Sequence, residues 1–129
     1  MEACAPVRRA IAILLATLAA ACASEVVRQP ATLTPAAAGA ERRELQMAQD
    51  SEVSVSATYS RVLPAGSRWR FVGELPQGAV YRRADGIFTV EGAHVHEAYL
   101  VIAGEKLVGF YLPVESSFAP TTPVVLKTR

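Results

Sequence analysis

The chain has 129 residues, of which 51% are hydrophobic and 19% are charged, and its formal net charge is +1. This length fits a single domain whose core needs neither disulfides nor a metal for stability. Lys and Arg alternate with acidic and apolar residues along the chain, so the sequence has no basic surplus for binding phosphates. We therefore expect one domain, no required cofactor and no nucleic-acid partner.

The first residues have the composition of a secretion signal. Arg8 and Arg9 form a positive flank, an apolar run covers residues 10–18, and small residues precede Cys22. The apolar stretch ends at Ala23 and is shorter than the roughly 20 residues that a membrane-spanning helix needs. The pattern predicts a cleaved signal helix over residues 1–21.

Leu18 to Cys22, with the sequence Leu-Ala-Ala-Ala-Cys, resembles the lipobox of bacterial lipoproteins, although Ala19 stands where that class prefers Leu. The resemblance implies cleavage before Cys22 and lipidation of this cysteine with diacylglyceryl and acyl groups such as palmitate. Two or more acyl chains hold a protein stably at a membrane. Ala23 and Ser24 replace the Asp that retains lipoproteins at the inner membrane, which implies the outer membrane, facing the periplasm. In the alternative, Cys22 is only a small residue near an ordinary signal-peptide cleavage site, after Ala21 or Ala23.

The segment after the anchor lacks large side chains. Residues 22–40 are mostly Ala, Thr, Pro, Ser and Gly, a composition typical of a flexible tether. Glu41 to Gln49 contains mainly strong helix formers with a weak apolar stripe, which predicts one short helix. We expect the folded domain over residues 41–129. It contains no cysteine, because the chain has only Cys4 and Cys22, so it forms no disulfide.

From residue 53 the apolar period changes to two, as in a half-buried strand. One strand is predicted over residues 53–60, where Val and Tyr alternate with Ser and Thr. Pro64, Ala65 and Gly66 predict a turn. A second alternating segment follows over residues 67–73, and Trp69 and Phe71 are expected to face the core while Arg68 and Arg70 face water.

Two hairpins are predicted further along the chain. One pairs residues 79–82 with residues 86–91, and the other pairs residues 95–102 with residues 106–112. After Leu112 several prolines predict an edge path, with a last short strand over Val124 to Leu126. The expected fold is all-β, a small antiparallel meander closed as a barrel or a sandwich.

His94 and His96 are the candidate metal ligands. Side chains at positions i and i+2 of a strand point to the same face, so both imidazoles could reach one ion. Glu91 is a candidate third ligand, whereas Glu97 lies on the opposite face. The alternative, which we favour, places the two histidines at the rim of the core.

Catalytic candidates are sparse. Ser116 and Ser117 could act as nucleophiles, with the histidines as bases and Asp50 or Asp85 as orienting groups. No Gly-x-Ser-x-Gly elbow and no phosphate-binding glycine motif occurs, and single acids scattered over short strands are typical of solvated faces. We expect no enzyme activity.

The last feature of the sequence that bears on function is a pair of aromatic residues. Phe110 and Tyr111 are adjacent, so they point to opposite faces of a strand. Either one of them joins Arg82 or Arg83 in a protein-binding patch, or the chain covers both faces of the sheet. We expect a non-enzymatic, lipid-anchored accessory protein that contacts an envelope partner. The alternative is a periplasmic ligand or metal carrier that uses His94 and His96.

Overall fold

A computed structural model describes residues 26–56 and 59–129, so the predicted signal helix and Cys22 lie outside the described residues. Within the described part, the strands are Gln29–Pro30 (β1), Thr34–Pro35 (β2), Glu44–Gln46 (β3), Ser51–Ser56 (β4), Tyr59–Leu63 (β5), Arg68–Leu75 (β6), Gly78–Arg83 (β7), Thr89–Glu91 (β8), Val95–Glu97 (β9), Tyr99–Ala103 (β10), Lys106–Leu112 (β11) and Ser117–Val125 (β12).

The main sheet is antiparallel and curls into a half-barrel, which confirms the all-β prediction. Its strand order is β1-β12-β11-β10-β7-β6-β2, and β3 also pairs with β6. Two small two-stranded sheets, β4-β5 and β8-β9, complete the fold. The β10-β11 hairpin confirms the predicted pairing for residues 99–102, with Leu100 opposite Phe110, but residues 95–97 of the predicted first strand form β9, which pairs with β8.

The end of the chain connects the two sides of the half-barrel. Met47 pairs with Thr128, the amide of Ala48 donates to the carbonyl of Lys127 at 2.8 Å, and the amide of Arg129 donates to the carbonyl of Gln46 at 2.9 Å. Because Gln46 belongs to β3 and residues 126–129 follow β12, these bonds join β12 to the β3-β6 side of the sheet.

Residues 26–40, which composition assigns to a tether, are part of the domain. β1 pairs with β12 at one edge of the main sheet, and β2 pairs with β6 toward the other edge. Between these strands, Ala31 and Leu33 pack against an apolar cluster on one face of the sheet. The segment from Val26 to Ala36 is therefore a strap, and the fold begins before the predicted boundary at residue 41.

The prediction of a short helix over Glu41 to Gln49 is wrong. Only a 3-10 turn forms at Ala40–Arg42, and the following residues form β3. Leu45 lies opposite Trp69 in the β3-β6 pair, and the amide of Phe71 donates to the carbonyl of Arg43 at 2.8 Å. Pairing with β6 and packing beside the core outweigh the helix propensity of these residues, which is a weak local preference.

The predicted strand over residues 53–60 is a hairpin, because β4 and β5 pair with each other with Ser51 opposite Leu63. Its middle residues 57 and 58 lie outside the described residues. The predicted hairpin between residues 79–82 and 86–91 is also wrong. β7 pairs with β6 and β10, whereas β8 pairs with β9.

Each face of the main sheet carries an apolar core. Trp69, Phe88 and Phe110 are fully buried in the larger core, where the Trp69 and Phe88 rings meet edge to face with centroids 5.4 Å apart. Trp69 and Phe71 face inward and Arg68 and Arg70 face water, as predicted. The smaller core, beneath the strap, contains Leu75, Val80, Val101, Tyr111 and Phe118.

Candidate functional site

His96 is the buried member of the predicted histidine pair. It lies in the centre of β9 with 6% of its surface exposed, while its neighbours Val95 and Glu97 are more exposed. Its Nδ1 lies 2.6 Å from Oε1 of Glu115. The pair connects the β8-β9 hairpin to the turn between β11 and β12.

Glu115 is held in this turn by the backbone. Ser116, at φ 47°, adopts the left-handed conformation, and its amide approaches the carbonyl of Pro113 at 3.4 Å. A single left-handed residue commonly ends a short hairpin loop, so this conformation is accounted for by the turn.

The electrostatics of Glu115 favour its charged form. Partial burial raises the pKa of this carboxyl. Hydrogen bonds from His96 and from its own backbone, together with the nearby charges of His96 and Arg28, lower the pKa by more than burial raises it. The net pKa therefore lies below its ordinary value. Its Oε2 is buried and has no hydrogen-bond partner among the described residues. A charged carboxylate that is hydrogen-bonded to Nδ1 fixes the orientation of the imidazole. Nε2 is then the remaining polar atom of the His96 ring.

His94 does not share a strand face with His96. It precedes β9 in the β8-β9 turn and is exposed, so the strand rule that places i and i+2 together does not apply to it. The two rings still lie 6.4 Å apart between centroids, at 90° to each other. Glu91 is exposed and pairs through its backbone with Val95. Within residues 26–56 and 59–129, no group of three or more His, Cys, Asp and Glu side chains is placed to hold a metal.

The candidate catalytic residues have other partners. The Ser117 hydroxyl donates to the carbonyl of Glu115 at 3.0 Å, Asp85 accepts a hydrogen bond from Nε of Arg83 at 2.9 Å, and Asp50 accepts one from the amide of Ala65 at 2.7 Å. Glu115, rather than either aspartate, is thus the carboxylate that orients a histidine. No sequence signal marks this partner, because two strands separate it from His96.

The proposed aromatic patch is covered. Phe110 packs in the larger core and Tyr111 in the smaller core beneath the strap, so both rings of the adjacent pair are buried. Arg83 lies over the Trp69 ring, with its guanidinium carbon 6.0 Å from the ring centroid. The chain therefore covers both faces of the sheet at these positions.

A cavity of about 740 Å³ opens beside the C-terminal segment. Leu45, Ile102 and Leu126 contribute apolar walls, and the charged residues around it are Glu44, Glu105, Lys127 and Arg129. Its volume lies in the range of small-molecule sites. No motif indicates it, since its walls come from segments that are distant in sequence.

Comparison of the chain with protein-family models, with curated proteins and with solved structures gives no match. Among the residues that the structure describes, no helix is long and apolar enough to span a membrane. The geometry of the chain's own residues is therefore the basis for assigning a function.

Proposed function

We propose that this protein is a lipid-anchored accessory component of the bacterial envelope, attached through Cys22 to the outer membrane and facing the periplasm. The observation that carries the proposal is the position of the lipobox-like segment relative to the fold. Val26, only 4% exposed, already belongs to the larger core, and every described strand follows it. Cleavage before Cys22 therefore leaves all described strands and both cores in the mature chain.

A non-enzymatic role is favoured by what the polar side chains contact. The groups that resemble catalytic residues bind local partners that stabilise turns and the β8-β9 hairpin: Ser117 binds the turn carbonyl, and His96 binds Glu115. We expect the domain to act by contacting another envelope component. In-cell crosslinking of the membrane-bound protein, followed by mass spectrometry, identifies that component.

The anchor is tested by replacing Cys22 with Ser in the full chain, expressed with its own leader. The wild-type protein is expected to sediment with membranes and to remain there after a high-salt wash, because acyl chains, not charges, hold it. Cys22→Ser should be exported and recovered in the soluble periplasmic fraction. The matched control is Cys4→Ser, which alters a thiol that the cleavage removes and should fractionate like the wild type. Salt-resistant membrane association of Cys22→Ser contradicts the proposal.

A second candidate function is metal binding by His94 and His96. It is favoured by the hydrogen bond between His96 and Glu115. In many metal-binding histidines a carboxylate binds one ring nitrogen and so orients the other ring nitrogen toward the metal. Zinc titration of the chelator-treated protein tests it. Binding that is lost in both His94→Ala and His96→Ala, but kept in Glu91→Gln, supports a two-histidine site. Equal binding by wild type and by both histidine variants contradicts it.

A further inference from the structure

The strap places the fold close to the proposed anchor. Cys22 precedes the buried Val26 by only four positions, and a fully extended chain of this length spans about 14 Å. If acyl chains on Cys22 are embedded in a bilayer, Val26 is held within about that distance of the lipid surface. The domain therefore has no long tether, and one part of its surface must lie beside the phospholipid headgroups.

The contacts of β1 identify that part of the surface. In the β1-β12 pair Gln29 lies opposite Phe118 and Pro30 opposite Ser117, so residues 26–28 precede β1 at the end where β12 continues toward Pro120. Thr121, the next residue of β12, donates its hydroxyl to the carbonyl of Ser54 on β4. The chain thus leaves the domain toward Cys22 beside the middle of β12 and the β4 strand.

The residues at this exit form a surface without formal charge, which we name the neutral face: Val27, Ser54, Pro120, Thr121 and Thr122. Residues 53–60 and 116–126 contain no Asp, Glu, Lys or Arg. Val27 is 80% exposed, and Arg28 beside it is the one charged residue between positions 26 and 36. Arg28 is the single cation beside this face that an anionic phospholipid headgroup would attract, so the position of the anchor, and not charge, brings the neutral face to the lipid.

The β6-β7 part of the main sheet has a different set of exposed side chains. β7 is separated from β12 by β10 and β11, and on β6 and β7 the exposed side chains are charged: Arg68, Arg70, Glu74 and Arg82. The β6-β7 strands therefore differ in charge from the neutral face, and β7 lies three strands from β12, beside which the chain leaves the domain toward Cys22.

We infer that the neutral face lies against the phospholipid surface that holds the anchor and that the β6-β7 side faces the periplasm. This inference rests on the proposed lipidation of Cys22. It assigns the β6-β7 side, and not the neutral face, to contacts with an envelope partner.

The test uses the full chain, expressed with its leader, extracted with detergent and reconstituted into vesicles of phosphatidylethanolamine and phosphatidylglycerol. Thr122→Cys places a thiol on the neutral face, and Arg82→Cys is the matched control on β7; both native side chains are exposed. Once Cys22 is lipidated and Cys4 is removed, the introduced cysteine is the only thiol available for a fluorophore. Lipids with a spin label on the headgroup then quench fluorophores that lie near the bilayer.

Flotation of the protein with the vesicles is measured first. Failure to float contradicts the proposed anchor, and the inference fails with it. Flotation with several-fold stronger quenching at position 122 than at position 82 supports the orientation. Flotation with equal quenching at the two positions, or stronger quenching at position 82, overturns the orientation and leaves the anchor intact.

Discussion

His96 and Glu115 are joined by a short hydrogen bond, with Nδ1 2.6 Å from Oε1, that connects the β8-β9 hairpin to the turn between β11 and β12. Glu115→Gln removes the negative charge while keeping a similar shape. We expect the free energy of unfolding at neutral pH to fall by about 1 to 2 kcal/mol, the range for a partly buried hydrogen bond to a charged group.

Urea unfolding measures this change, and fluorescence of Trp69, the single and fully buried tryptophan, reports it. The control is Glu91→Gln, which changes an exposed acid on the same hairpin and should leave stability within about 0.5 kcal/mol of the wild type. Equal stability of Glu115→Gln and Glu91→Gln would show that the pair does not stabilise the hairpin.

The same pair predicts a dependence of stability on pH. The pKa of Glu115 is lower in the folded chain than its ordinary value. The resulting stabilisation is fully present above the ordinary carboxylate pKa, and it is lost as the pH falls through the lowered pKa of the folded state. With a metal chelator present, the stability difference between wild type and Glu115→Gln should therefore shrink as the pH falls below the ordinary carboxylate pKa of 4.5. A difference that stays constant or grows below that pH contradicts the lowered pKa of Glu115.

The alternation of apolar and polar residues predicts the parts of the fold that depend on local pattern. Trp69 and Phe71 face the core as expected, and the β10-β11 hairpin forms where two apolar segments flank a glycine-containing turn. The buried face of β6 is visible in the period of two, whereas β10 and β11 are apolar runs that are buried on both faces of the sheet.

Other features depend on pairing between distant segments. Leu45 lies in a helix-forming segment, yet it becomes a strand residue because β6 offers it a partner. Ala31 and Leu33 sit in a composition typical of a tether, yet they cover the smaller core. The partner of His96 is found only when the turn before β12 approaches β9. Local propensity contains no information about such contacts.

Leu33 provides a test of the strap. It packs against the smaller core and is half-buried. Leu33→Ala should lower the free energy of unfolding by about 1 to 3 kcal/mol, less than the loss at a fully buried leucine. The adjacent Thr32 is exposed, so Thr32→Ala should change stability little. If urea unfolding gives the same midpoint for both variants, residues 31–33 do not contribute to the core and the segment behaves as a tether.

Gly109 of β11 lies where there is no room for a side chain. A Cβ at this position would lie 2.5 Å from the carbonyl oxygen of Ala119 and 2.5 Å from the ring of Phe118. Gly109→Ala should therefore displace β12 and cost about 1 to 3 kcal/mol of stability. Gly86→Ala is the control, because its nearest new contact is the end of the Arg83 side chain at 3.7 Å. Thermal unfolding should separate the two variants, and a Gly109→Ala melting temperature as high as that of Gly86→Ala would contradict the β11-β12 packing.

The anchor at Cys22 is tested most directly by the intact mass of the protein, expressed with its own leader and extracted from membranes. The expected mass is that of the chain from Cys22 to Arg129 plus a diacylglyceryl group, with or without one further amide-linked acyl chain. An unmodified chain that begins at or near Cys22 would contradict the anchor and make this a free envelope domain. In that case the orientation of the neutral face would lose its basis, and binding of a diffusible ligand would become the leading hypothesis.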